Sequence, residues 1–200
     1  HASITDKVKV GELLRRIDEY DGYFPQKCVL RLAPLLFTRP NELLSAEWKD
    51  VDLEAREWRI PAERMKMRRP HIVPRSDQAV VILKELEPIT GQGRYLFPAS
   101  SDPDKHLRDN RILFALKKLG YANGEMSFHG FRAMASTLLN ELGYNRDWIE
   151  RQLAHCPRDA VRASYNYAEY LPERRRMMQE WADYLTALKI QKGKLHERND

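Results

Sequence analysis

The sequence predicts an α+β fold that is mainly helical and carries a small antiparallel sheet of three strands. Three observations predict it: apolar residues at helical spacing near the start, short strand-like segments between residues 48 and 74, and a return to helical spacing after residue 107. Two hundred residues suffice for one domain with a buried core. We expect that domain to cover residues 5–188, followed by a polar tail over 189–200. Residues 1–4 are interpreted as a tag or linker remnant.

Helices are predicted before and after the sheet along the chain, and residues at their ends are typical of helix starts and stops. Thr5 or Asp6 can cap the first helix, and Gly143 can end the helix that starts near Ser127 or His129. Pro34 should bend the second helix or end it early, because proline lacks an N–H donor. The predicted helices cover residues 6–20, 26–37, 40–46, 76–86, 107–119, 127–142, 146–154, 159–166 and 172–188.

Charged turns separate three strand-like segments in the first half of the chain. The segments at 48–52, 57–60 and 70–74 are short and rich in β-formers, which favours an antiparallel sheet. Residues 88–104 contain Gly, Pro and Ser in quantity and are predicted to form a loop.

Composition restricts the possible partners. The net charge of +5 and the pI of about 9.2 favour a polyanionic binding partner. Cys28 and Cys156 form no metal-ligand spacing and fit a reduced intracellular setting. No apolar run approaches the roughly 20 residues of a membrane span. We therefore expect a cytoplasmic protein without a metal, a cofactor or a membrane contact.

Two short motifs place arginines next to apolar helices. LLFTRPNELL puts Arg39 after an apolar stretch, with Glu42 three residues later. HGFR puts His129 and Arg132 one turn apart on one face of a helix. Taken singly, these could be a local ion pair and a capping histidine beside a surface arginine.

A third motif joins a histidine to tyrosines. LAHCPRDAVRASYNYAEY places His155 ten residues ahead of Tyr165. Any one of these tyrosines taken alone is more simply a half-buried anchor. In this order, however, the three motifs resemble those of the tyrosine recombinases, the phage integrase family, and look most like integrases of prophages and genomic islands. The resemblance runs from about residue 5 to 188 and implies the tyrosine recombinase catalytic fold.

The resemblance implies site-specific cleavage and rejoining of DNA strands, with a role for each matched residue. Arg39 and Arg132 would clamp one phosphate, because a guanidinium presents a planar fork of donors. Tyr165 would attack it and form a 3′-phosphotyrosine, helped by cations that favour the phenolate. His155 would donate a third hydrogen bond, and His129 would take the tyrosine proton or hold an oxygen.

The same resemblance points to a lysine in a strand turn that protonates the leaving 5′-oxygen, and Lys66 matches best. Glu42 is interpreted as orienting Arg39 rather than moving protons. Residues 64–75 hold five Lys/Arg and one His against no acid, so phosphate contact is expected there. The predicted DNA-binding residues in this stretch are Arg64, Arg68 and Arg69.

Several points stay open at the level of sequence. Much of the family places its tyrosine nine residues after the last histidine, so Tyr167 is the alternative to Tyr165; on a helix the two would project about 200° apart. A type IB topoisomerase and a non-catalytic DNA-binding module are the alternative functions.

The expected partners are duplex attachment sites, three further copies in a DNA-bound homotetramer of the full-length protein, a DNA-bending host factor and an excisionase. In isolation we expect a monomer. The N-terminal core-binding and arm-binding domains of related integrases are expected to be absent ahead of residue 5, and the C-terminal segment could dock on a neighbouring subunit.

Overall fold

The computed structural model describes residues 2–66, 68–121, 124–155 and 169–191. Within those residues the expected mainly helical fold with a three-stranded antiparallel sheet is confirmed. The helices are α1 (Lys7–Glu19), α2 (Phe24–Leu36), α3 (Pro40–Leu44), α4 (Asp77–Thr90), α5 (Asp109–Lys118), α6 (Gly130–Glu141), α7 (Arg146–Gln152) and α8 (Leu171–Ile190). The strands are β1 (Val51–Asp52), β2 (Glu57–Ile60), β3 (His71–Pro74), β4 (Pro98–Ala99) and β5 (Asp102–His106).

Helix α2 lies at the centre of the fold and delivers the first arginine motif to its position. It contacts α1, α4, α5, α6 and α8, and most of its residues are buried. Burying a large apolar side chain stabilises a fold by about 1.5–3 kcal/mol, so packing rather than helix propensity holds α2 in place. Phe37 ends the helix in the left-handed region, with φ of 38°, and turns the chain toward Arg39.

Two prolines lie inside helices, and we expected one of them, Pro34, to bend its helix or end it early. Helix α2 continues through Pro34 to Leu36, one residue short of the predicted end, and the carbonyl oxygen of Pro34 accepts a 2.9 Å hydrogen bond from Trp181 Nε1. Helix α4 continues through Pro88 to Thr90, four residues past the predicted end. A proline removes one backbone hydrogen bond from a helix, and both helices nevertheless continue past theirs.

The sheet is smaller and the following loop more ordered than the sequence predicts. Residues 48–50 form a 3₁₀ turn rather than a strand, so that β1 has only two residues. Antiparallel pairing sets Trp58 opposite Val51 on one side and Val73 on the other. The predicted loop 88–104 contains the start of the hairpin β4–β5, and the predicted helix 159–166 lies outside the described residues.

None of the helices in the described ranges is both long enough and apolar enough to cross a membrane.

Candidate active site

Arg132 is buried beneath the start of α6 and joined to the ends of two other helices. Its side chain is in the first turn of α6, and the residue is 4% exposed. Nη1 donates to the carbonyl oxygen of Phe37 (2.9 Å) and Nη2 to that of Leu153 (2.8 Å). Burial, and then the nearby charge of Arg39, lower the pKa of Arg132 to about 10. The guanidinium therefore stays charged at neutral pH in a fixed orientation.

Arg39 is also fixed by a backbone carbonyl just past the end of α7, and in addition by the Glu42 carboxylate. Its Nη2 donates to the carbonyl oxygen of Ala154 (3.1 Å), one residue from the carbonyl that holds Arg132. Its Nη1 donates to Glu42 Oε1 (2.8 Å), while Glu42 Oε2 accepts from the backbone N–H of Arg39 (2.9 Å). Glu42 is 5% exposed. This geometry supports the interpretation of Glu42 as the residue that orients Arg39.

His155 lies beside Arg132 and is oriented by a carboxylate that the sequence did not reveal. Its Nε2 is 3.3 Å from Arg132 Nη2, and its Nδ1 is 2.9 Å from Glu150 Oε2. The backbone carbonyl oxygen of Glu150 also accepts from the backbone N–H of His155 (3.0 Å). Because Nδ1 faces a carboxylate it carries a proton, which leaves Nε2 for Arg132 or, in the imidazolium form, for a phosphate oxygen. The available signal was a carboxylate five residues ahead of the histidine.

His129 occupies the N-cap position of α6, makes no side-chain capping hydrogen bond there, and is partly buried. Burial, Arg132 and Arg39 lower its pKa below the usual value of a histidine. The imidazole is therefore neutral at pH 7 and able to accept a proton.

Lys66 reaches the same place from the turn between β2 and β3. An open cleft of about 650 Å³ is lined by residues from the first arginine motif, this turn and the HGFR motif. Among its lining residues are Arg39, Glu42, Arg64, Lys66 and His129. Lys66 is exposed, so solvent or a ligand can reach its ammonium group.

The three arginines of the basic turn differ in their surroundings. Arg68 and Arg69 are exposed. Arg64 donates to the carbonyl oxygen of Ser45 (3.0 Å) and pairs with Asp50. It therefore has a structural role in addition to its predicted contact with DNA.

The chain ahead of α1 contacts the HGFR motif directly. The carbonyl oxygen of Ala2 accepts from the N–H (3.1 Å) and the Oγ (3.0 Å) of Ser127. Ser3 Oγ donates to the carbonyl oxygen of Gly130 (2.9 Å). A β-carbon at position 130 would collide with the Ala2 carbonyl oxygen, so glycine is needed there. Residues 2 and 3 thus lie against α6, although we interpreted 1–4 as a remnant.

The structure brings five of the six predicted catalytic residues into one region. They are Arg39, Lys66, His129, Arg132 and His155. Tyr165, the alternative Tyr167 and Cys156 lie outside the described residues. In the described part of the chain, no three His, Cys, Asp or Glu side chains could together hold a metal ion.

Arg39, Lys66 and His129 line the open cleft, and Arg132 is held next to Arg39 through neighbouring carbonyls. Guanidinium groups fixed in this way can bind the oxygens of a phosphate. The model of the phage integrase family matches residues 4–171. The chain belongs to the phage integrase family, as its motifs indicated. This membership does not favour the topoisomerase or the non-catalytic alternative.

Known relatives agree with this assignment, and solved structures share the fold. The chain is 43% identical over 161 residues to the prophage integrase IntA of Escherichia coli K12, covering 80% of this chain and 39% of that protein. The integrase of mycobacterium phage Brujita shares the fold with a TM-score of 0.66 at 16% identity, covering 89% of this chain and 61% of that one. The XerH recombinase, solved with its difH substrate before cleavage, has a TM-score of 0.61 at 17% identity, covering 86% and 53%. The chain spans about two fifths of the length of IntA.

Proposed function

We propose that this chain is the catalytic domain of a site-specific DNA recombinase that integrates or excises a prophage or genomic island. One observation carries the proposal. Arg39 and Arg132, distant in sequence, donate to the adjacent carbonyls of Ala154 and Leu153 and so place two guanidiniums beside His155. A phosphorane gains negative charge on its non-bridging oxygens, and donors fixed in advance stabilise that charge most effectively.

The proposed reaction is a transesterification in two reversible halves. The Tyr165 oxygen forms a bond to phosphorus while the bond from phosphorus to the 5′-oxygen breaks. Neutral His129 accepts the phenol proton, and Lys66 gives a proton to the leaving 5′-oxygen. The 3′-phosphotyrosine conserves the bond energy, so a second 5′-hydroxyl can attack it and rejoin the strand without ATP.

The groups around this reaction take supporting roles. His155 donates from Nε2 to a phosphate oxygen while Glu150 holds Nδ1. Arg68 and Arg69 contact the phosphate backbone of the duplex. Arg64 lies in the same cleft, with a guanidinium that is already engaged by Ser45 and Asp50.

The proposed partner is duplex DNA. A protein of the same fold, the XerH recombinase, was solved bound to its difH substrate. We further propose a homotetramer of the full-length protein on its attachment sites, assisted by a DNA-bending host factor and an excisionase. The reaction would take place in the cytoplasm at the nucleoid, where the chromosomal target lies. Domains that bind the core and arm sites would belong to the parts of a longer protein outside this chain.

Trapping the covalent adduct tests the proposal. A pool of duplexes with randomised sequence is nicked a few nucleotides beyond each cleavable phosphate, so that the short 5′-hydroxyl fragment diffuses away and prevents rejoining. The wild-type chain should become attached to the 3′ end of the cleaved strand, and sequencing of attached strands gives the best duplex. Tyr165→Phe should form no adduct and should bind that duplex as the wild type does.

Two outcomes would revise or remove the proposal. An adduct that persists in Tyr165→Phe and disappears in Tyr167→Phe moves the nucleophile to Tyr167. No adduct from the wild-type chain on any member of the pool removes the proposed activity.

A further inference from the structure

We refer to Arg39 and Arg132 together as the arginine clamp. A further guanidinium, which is not part of it, lies in the core on the apolar face of α8. Arg174 has 0% exposure and shares its face of the helix with Met177, Met178 and Trp181. Burial lowers its pKa to about 9, so it is charged at neutral pH. A buried charge is costly unless hydrogen bonds satisfy it, and the partners of Arg174 therefore indicate its purpose.

The acceptors of Arg174 come from three separate segments. Nη2 donates to the carbonyl oxygen of Ile72 in β3 (2.6 Å) and to Gln152 Oε1 at the end of α7 (2.7 Å). Nε donates to the same Gln152 Oε1 (3.1 Å). Nη1 donates to the carbonyl oxygen of Glu169, just ahead of α8 (3.2 Å).

Gln152 extends these contacts to a fourth segment. Its Nε2 donates to the carbonyl oxygen of Leu36 at the end of α2 (3.5 Å). Its backbone oxygen is 3.2 Å from Nε2 of His71, which is 3% exposed. Burial lowers the pKa of His71 to about 3, so neutral His71 donates this bond from a protonated Nε2. We refer to Arg174 and Gln152 together as the Arg174–Gln152 hub.

Each segment that meets at the hub leads to a proposed catalytic residue. Leu36 precedes Arg39 by three residues, and Gln152 precedes His155 by the same interval. Strand β3, with Ile72, follows the turn that carries Lys66. Glu169 closes the stretch of chain that contains Tyr165. The hub therefore connects the groups that must converge on one phosphate.

A role in stability alone does not explain a charge at this position. Apolar side chains of similar volume often serve a protein core equally well or better than a buried ionic group, and the neighbours of Arg174 on α8 are apolar. A guanidinium differs from an apolar side chain in fixing the direction of several backbone carbonyls at once. Such a group specifies the relative positions of the segments that it joins.

We propose that Arg174 and Gln152 are positioning residues that align the segments carrying Arg39, Lys66 and His155 behind the arginine clamp. This inference rests on the proposed function, because it concerns the alignment of the residues assigned to that reaction. A misplacement of about 1 Å at a reacting centre can cost about 10²-fold in rate. The loss should appear in the cleavage step rather than in DNA binding.

A double substitution separates alignment from stability. Arg174→Met alone leaves carbonyl oxygens and Gln152 Oε1 unsatisfied, so its melting temperature should fall. Combining it with Gln152→Met replaces both polar partners by apolar ones and should recover part of that loss. Arg174→Lys keeps the charge without the planar fork. The matched control is Arg176→Met, which changes the exposed neighbour that lies over the Trp148 ring.

The measurements are the single-turnover rate of adduct formation on the selected nicked duplex, the Kd for that duplex and the melting temperature. We expect the double variant to be folded, to bind as the wild type does, and to cleave about 10²-fold more slowly. The cleavage rate of Arg174→Lys should lie between those of the double variant and the wild type. Arg176→Met should match the wild type. If Arg174→Met is too unstable to purify, the double and lysine variants still decide the question.

The outcomes distinguish this inference from the function on which it rests. A folded double variant that cleaves as fast as the wild type overturns the positioning role and leaves the proposed reaction intact. A melting temperature that falls while the rate of the folded protein is unchanged does the same. A wild-type chain that forms no adduct overturns both.

Discussion

The arginine clamp and the turn between β2 and β3 are both positively charged, but the clamp is largely buried and the turn is exposed. Arg132 is 4% exposed and fixed by carbonyls from two elements, whereas Lys66, Arg68 and Arg69 are exposed on the turn between β2 and β3. Under the proposed function, the groups that bind the charged phosphate are in place before DNA arrives. The groups that follow the duplex and supply a proton become fixed when it binds. Preorganisation is concentrated where charge develops.

The largest effect should come from the clamp. Arg132→Lys keeps a positive charge but cannot hold the Phe37 and Leu153 carbonyls and a phosphate together. We expect the rate of adduct formation to fall by about 10³-fold, measured in single turnover on the nicked duplex. Arg176→Lys is the matched control. A loss below tenfold would show that the fixed geometry matters less than the charge.

A smaller loss of cleavage rate is expected for a substitution of Lys66 in the turn, and a substrate with a better leaving group should reverse it. Lys66→Met should slow cleavage by about 10²-fold, because the leaving oxygen then lacks a proton donor. A duplex with sulfur in place of the bridging 5′-oxygen should recover most of the rate, since a thiolate leaves without a proton. The exposed Lys84→Met is the control. Slow cleavage of the sulfur duplex would instead give Lys66 another role.

A third effect concerns His71, next to the Arg174–Gln152 hub, and the pH dependence of the free energy of unfolding. Burial lowers the pKa of His71 to about 3, so between pH 6.5 and 3 the unfolded chain binds a proton that the folded chain does not. The free energy of unfolding should therefore fall, by at most about 1.4 kcal/mol per pH unit, as the pH decreases below 6.5. Urea unfolding at pH 7 and pH 5 measures this. A His71→Gln variant should have a weaker pH dependence; equal dependence in both would contradict the prediction.

The smallest effects should come from the exposed arginines. Arg68→Gln and Arg69→Gln should each reduce the slope of log K against log salt by about 0.9, with little change in the cleavage rate at saturating DNA. Arg64→Gln offers a contrast within the same turn, because its bonds to Ser45 and Asp50 should make it lower the melting temperature as well. Binding titrations at several salt concentrations test all three. An unchanged slope for Arg68→Gln and Arg69→Gln would remove them from the interface.

The sequence predicted most of the helices because their signals are local. Asp6, for example, caps α1 by accepting from the Lys9 N–H. The end of α4 was misplaced because residues 88–90 begin a stretch rich in turn-forming residues and were therefore assigned to the loop. The hairpin β4–β5 was missed because its residues, PA and DPDKH, lack the pattern of a strand.

The sequence predicted the catalytic side chains of the candidate site but not the backbone groups that hold them in place. Arg39, His129, Arg132 and His155 stand in motifs of fixed spacing. The carbonyls of Phe37 and Leu153 that hold Arg132 carry no side-chain signal. Arg174 did have one: it lies at helical spacing from Met177, Met178 and Trp181, so the pattern already placed a charge on a buried face.

Gly130 also has a practical consequence for handling the protein. Ala2 rests on Ser127, and the missing side chain of Gly130 makes room for its carbonyl oxygen. An affinity tag at this end of the chain would be attached close to Ser127 and Gly130, near the cleft where the duplex is proposed to lie. Such a tag could compete with the substrate, so kinetic work on this domain calls for a cleavable one.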